Sequence, residues 1–159
     1  MNEALCKTIR DAFAEVKLGK GIGLQEAQGL DDYDDDATRA RYRASDEKED
    51  WARISVGDLN RCNSSLSFFD ADGMRFHLPA YLIADLHGTY NFGMAFCLTH
   101  PHDYDHYFGL LSPAQRQAVR AFLLHILSDP NYEFERPNIL LALEDYWTDA
   151  TSLSSKRTT

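Results

Sequence analysis

Apolar positions near the start of the chain, Leu5, Ile9, Ala12, Phe13 and Val16, recur at spacings of three and four. That rhythm predicts an amphipathic helix with Asn2 as its N-cap and an end near Gly19. The glycines of Gly19-Lys20-Gly21-Ile22-Gly23 follow a helix rather than a strand. They therefore predict a flexible turn and not a phosphate-cradling loop. Apolar positions then become sparse until Trp51, Ile54, Val56 and Leu59, which predict a short helix or two with Ser55 as an N-cap.

The one strand-like pattern runs from Leu66 to Leu78, where Asp72-Gly73 lies between two aromatic-rich runs. Asp-Gly in that setting predicts a tight hairpin, because glycine tolerates the positive φ of the turn. Pro79 then suits the first position of a helix carrying Tyr81, Leu82, Ile83 and Leu86, which Gly88 would terminate. Further on, Ser112-Pro113-Ala114-Gln115 has the form of a capping box with proline at the first helical position. Val119, Phe122, Leu123, Ile126 and Leu127 continue that helix's apolar face until Asp129-Pro130-Asn131. Pro137 opens a last helix with Ile139, Ala142, Leu143, Tyr146 and Trp147 on its face.

Several helices and one hairpin, without alternation of strand and helix, predict an α+β class: a helix-rich single domain with one short β-hairpin packed on amphipathic helices. The domain is expected over residues 1–151, with a mobile acidic loop near 31–50 and a frayed tail at 152–159.

Composition narrows the functional classes. The chain has 159 residues, 44% hydrophobic and 12% aromatic, enough for a core without metal or disulfide staples. Its net charge of −9 has the wrong sign for holding a phosphate backbone, and no apolar run approaches a membrane span. Direct nucleic-acid and membrane partners are therefore not expected. Cys6, Cys62 and Cys97 are odd in number and widely spaced, as in a reducing compartment, and no basic region followed by an apolar run opens the chain. Both features predict a cytoplasmic protein. More than half of the net negative charge comes from residues 31–50, where nine acidic side chains face four basic ones.

The most metal-like stretch is His100-Pro101-His102-Asp103-Tyr104-Asp105-His106. His100 and His102 would share one face of an extended segment, with Asp103, Asp105 and His106 as further ligands. It is similar to the HxHxDH signature of metallo-β-lactamase-like hydrolases, but carries one extra residue between the second His and the Asp-His pair. A solvated polar loop is the favoured reading; His100, His102, Asp105 and His106 remain the alternative metal set. The Asp32-Tyr33-Asp34-Asp35-Asp36 run fails as an EF-hand, because its sixth and twelfth positions are Ala37 and Arg43. No Gly-x-Ser-x-Gly elbow is present, Cys97 sits in an apolar run, and no catalytic set or cofactor is expected.

Three segments occur together in order: Phe76-His77-Leu78-Pro79-Ala80-Tyr81-Leu82; Leu111-Ser112-Pro113-Ala114-Gln115-Arg116-Gln117-Ala118-Val119 leading to Phe122-Leu123; and Ala142-Leu143-Glu144-Asp145-Tyr146-Trp147. In these the chain resembles a bacterial family of small proteins known only as domain of unknown function 6714, over roughly its last two thirds. The resemblance implies shared packing and supplies no catalytic residues.

Compact size, a concentrated acidic segment and aromatics in polar surroundings together point to a binding protein of the immunity or antitoxin kind. It would occlude the active site of a basic, nucleic-acid-directed toxin. Asp31, Asp32, Asp34, Asp35 and Asp36 would pair with Lys or Arg, and Tyr33, Tyr104 or Tyr107 would fill a pocket on the partner. The alternatives are a metal-dependent hydrolase using the histidine stretch and a regulatory interaction protein.

Overall fold

The computed structural model describes residues 2–149. The fraying expected of 152–159 lies outside them. Among the described residues ten α-helices follow in chain order: α1 (Glu3–Ala12), α2 (Leu24–Asp31), α3 (Asp36–Ser45), α4 (Val56–Arg61), α5 (Ser65–Phe68), α6 (Ala71–Leu86), α7 (Ala95–Thr99), α8 (Tyr104–Phe108), α9 (Pro113–Ile126) and α10 (Arg136–Asp145). Two short 3-10 segments, Trp51–Arg53 and Pro130–Glu135, precede α4 and α10. No strand occurs among the described residues, so the expected α+β class is corrected to all-α.

The correction centres on the segment read as a hairpin. Asp70 is an N-cap: its carboxylate accepts the Gly73 amide at 2.8 Å and the Ile22 amide at 3.0 Å. Asp72-Gly73 is the first turn of α6 and not a β-turn. Glycine is required at 73, but for close approach rather than positive φ, since a Cβ there would lie 2.6 Å from the Ile22 carbonyl oxygen. Gly21 meets the same turn, with a Cβ position 2.7 Å from the Gly73 nitrogen. The glycine-rich turn is thus docked on the start of α6. Pro79 lies inside α6 and not at its start. It leaves the Arg75 carbonyl without its helical donor.

α6 is the hub. Met74, Phe76, His77, Leu78, Tyr81 and Leu82 are all buried, so the helix is covered on every side, and α1, α4, α8 and the Trp51–Arg53 segment pack against it. Each large side chain buried there contributes about 1.5–3 kcal/mol. His77 is part of this core: it stacks on Phe69 with ring centroids 4.3 Å apart, and its Nδ1 donates to the Gly73 carbonyl at 2.7 Å.

Several expected ends match. Asn2 caps α1 by accepting the Leu5 amide, Ser55 caps α4, and Ser112 and Gln115 form the capping box of α9. Gly88, at φ 71°, follows the end of α6. α1 stops at Ala12, earlier than Gly19, because its C-terminal carbonyls find side-chain partners: Trp51 Nε1 donates to Phe13 and Gln115 Nε2 to Ala12. At the other end Trp147 Nε1 donates to the Leu98 carbonyl at 2.8 Å, joining the end of α10 to α7.

Candidate functional site

The acidic segment is built on a helical hairpin. α2 and α3 pack against each other, and α2 also rests on α5. Asp31 ends α2, Asp32 is its C-cap, and Asp35 caps α3 by accepting the Thr38 amide at 2.8 Å. Hydrogen bonds from Thr38 hold the Asp35 carboxyl below the usual carboxylate range. Asp36 pairs with Arg39, whose Nε also donates to the Asp34 carbonyl at 3.2 Å. Asp34 is half-buried; Asp31, Asp32, Asp35 and Asp36 are exposed. At the apex Tyr33 is 95% exposed and has a φ of 60°. A left-handed backbone costs a non-glycine residue about 1–2 kcal/mol, so a tyrosine held there with its ring in water is a feature that packing does not explain.

The base of the hairpin is tied by Asp46, the C-cap of α3, whose buried carboxylate accepts the amides of Gln25 and Glu26 at 3.0 and 3.2 Å. One residue thereby closes α3 through its backbone amide and caps α2 through its side chain. Burial pushes the Asp46 carboxyl up, against those two hydrogen bonds.

Tyr104 and Tyr107 belong to α8, which packs on α6, whereas Tyr33 sits on the α2–α3 turn. Tyr104 stacks on Tyr146 at 4.3 Å and is half-buried. Tyr107 donates to the Ser67 carbonyl at 2.9 Å. Both are committed to internal contacts, and of the three tyrosines only Tyr33 is presented freely.

The histidine stretch connects α7 to α8. His100 stacks on Phe96 at 4.4 Å, Asp103 caps α8, Asp105 accepts from the Tyr146 hydroxyl at 3.2 Å, and His106 lies edge-on to Tyr107. Among the described residues no group of three or more His, Cys, Asp or Glu side chains stands where it could hold a metal ion. The geometry therefore lends the hydrolase reading no ligand set.

Beside this stretch a cleft of about 600 Å³ opens between Leu66, Met74, Tyr90, Phe92, Phe96 and His100. Phe92 and Phe96 are 62% and 70% exposed at its edge. Gly88 and Gly93, both at positive φ, bracket the turn carrying Tyr90 and Phe92. Behind that turn the Tyr132 hydroxyl donates to Asp85 at 2.6 Å, and Asp85 accepts the Met94 amide at 2.9 Å.

No described helix is long and apolar enough to cross a membrane. Fold and surface define a class: an all-α domain that presents an acidic helical hairpin and, separately, an aromatic cleft. The chain belongs to the family of unknown function DUF6714, whose model matches residues 1–151. The match takes in α1 and the acidic hairpin, beyond the segments that carry the resemblance. No curated protein and no solved structure matches the chain.

Proposed function

We propose that the domain binds a basic protein through the tip of the α2–α3 hairpin, as an inhibitor of the immunity or antitoxin kind. The observation that carries this reading is Tyr33: an aromatic ring in water, at a backbone angle of 60°, between carboxylates on an anchored turn. Aromatic anchors ringed by charge are favoured at interfaces, where the ring fills a pocket and the charges set the rate and register of encounter. Asp31, Asp32, Asp35 and Asp36 would engage Lys or Arg around the partner's active site, and occlusion would follow from the width of the hairpin. A bacterial cytoplasmic setting belongs to the same proposal; it is supported by three cysteines that are all free thiols.

The test is co-expression of each adjacent gene with this chain. Growth arrest caused by a neighbour, relieved by the wild type but not by D31N/D32N/D35N/D36N, is the expected result. Neighbours that arrest nothing, or an arrest relieved equally by both forms, contradict the proposal.

A further inference from the structure

The cleft beside α7 is independent of the acidic hairpin and has the features of a small-molecule site. Its volume of about 600 Å³ lies within the range of ligand pockets, roughly 300–1,000 Å³. None of the Asp, Glu, Lys or Arg side chains lines it. A charged occupant would therefore lose hydration without gaining an opposite charge. The exposed rings of Phe92 and Phe96 supply aromatic surface at the edge, and Phe96 is braced on one face by the His100 ring at 11° between planes.

Two polar groups that line the cleft are held in place by ring contacts, Tyr90 between Tyr81 and Phe92 and His100 against Phe96. Tyr90 lines it while only 6% exposed, and its hydroxyl has no hydrogen-bond partner among the described residues, whereas the hydroxyl of Tyr107 in the same cleft donates to Ser67. The Tyr90 hydroxyl is not sealed from solvent, so a ligand acceptor entering the cleft would replace water as its partner. His100 is oriented by a relay. The Thr99 hydroxyl donates to the Ala95 carbonyl at 2.8 Å, so its oxygen accepts from His100 Nδ1 at 2.8 Å. In the neutral ring this leaves Nε2 as an acceptor. The lining thus offers Tyr90 as a donor and His100 as an acceptor beside the aromatic rings, with Asn63, Ser67 and His102 as further polar groups and no Asp, Glu, Lys or Arg.

We propose that this cleft binds a small neutral heteroaromatic compound, whose ring lies against Phe96 and Phe92 and whose carbonyl-type acceptor takes a hydrogen bond from Tyr90. Binding is reversible: burial pushes the Cys97 thiol in the cleft up to about 12, so the thiolate needed for covalent capture is scarce at neutral pH.

The experiment uses three probes at about 1 mM, a concentration suited to fragment-sized ligands, with backbone amide spectra of the whole chain as readout. Isoquinolin-1-one carries the ring and the acceptor, indole carries the ring without a carbonyl, and cyclohexanecarboxamide carries the carbonyl without an aromatic ring. Isoquinolinone is expected to give saturable shifts centred on the amides of Tyr90, Phe96 and Cys97, and the aliphatic amide none. F96A changes an exposed side chain and should weaken both aromatic probes about fivefold or more. Y90F should weaken isoquinolinone about three- to tenfold and leave indole unchanged. Absence of saturable shifts from every probe, equal binding of the aliphatic amide, or an isoquinolinone affinity untouched by both variants would each overturn the proposal.

Discussion

The carboxylate of Asp46 fills the space where a side chain on Gly23 would begin: a Cβ at position 23 would stand 2.3 Å from Asp46 Oδ2. Gly23 is the N-cap residue of α2 and has no side chain with which to cap it. A carboxylate from the end of α3 does so instead, which fixes the spacing of the two helices that present Tyr33.

Asp46→Ala therefore removes two charge-assisted hydrogen bonds and leaves the part-buried amides of Gln25 and Glu26 without their cap, with an expected loss of about 1–3 kcal/mol in urea denaturation. Gly23→Ala should also destabilise the protein, because backbone and a packed carboxylate must move apart. If both variants match the wild type, the hairpin is not tied in this way.

Tyr33→Gly separates stability from binding. Removing the left-handed strain contributes about 1–2 kcal/mol, and the extra freedom of glycine in the unfolded chain offsets about half of it. The variant should be more stable than the wild type by about 0.5–1 kcal/mol and should bind the partner more weakly. A variant less stable than the wild type would mean that the ring supports the fold.

Acid stability should depend on His77. Burial lowers its pKa from 6.5 to about 4. The unfolded chain then binds more protons than the folded one between those two values. Stability is thus full above pH 6.5 and falls as the pH drops through the window, by about 3 kcal/mol in total. H77F lacks the titrating ring and should lose this part of the slope in denaturation curves taken from pH 7 to pH 4. Parallel pH profiles for the two forms would show that another group governs it.

The thiols should be slow to react in the native protein. Burial raises Cys62 to about 11 and Cys97 to about 12. An aromatic disulfide reagent at pH 7.5 should label neither readily until the chain is unfolded, when all three cysteines become available. Rapid native labelling of Cys97 would indicate that the cleft opens further than described.

Much of the architecture could be read from local chemistry. The caps at Asn2, Ser55 and Ser112 depend on side chains within one turn of the amides they accept, so sequence spacing reveals them. The α6 segment could not be read that way. A helix buried on every face has no apolar stripe, and Phe68-Phe69 and Phe76 around Asp72-Gly73 imitate a hairpin. What decides the matter is the contact of Gly73 with Ile22, made about fifty residues away along the chain. The acidic residues of the candidate site were visible as composition, and Tyr33 as their aromatic neighbour. Its φ of 60° and the grip of Asp46 on α2 arise only from tertiary packing. Phe92 and Phe96 gave no signal, because nothing in an aromatic-rich stretch marks which rings the surrounding helices leave uncovered.

The most direct measurement is paired capture from the native host, with wild-type chain and Y33A/D31N/D32N/D35N/D36N as baits at low and moderate salt, quantified by mass spectrometry. A basic protein held near one-to-one by the wild type, weakened by salt and lost from the variant, is the expected result. Equal retention by both baits, or no basic protein on the wild type, contradicts binding through the tip of the α2–α3 hairpin.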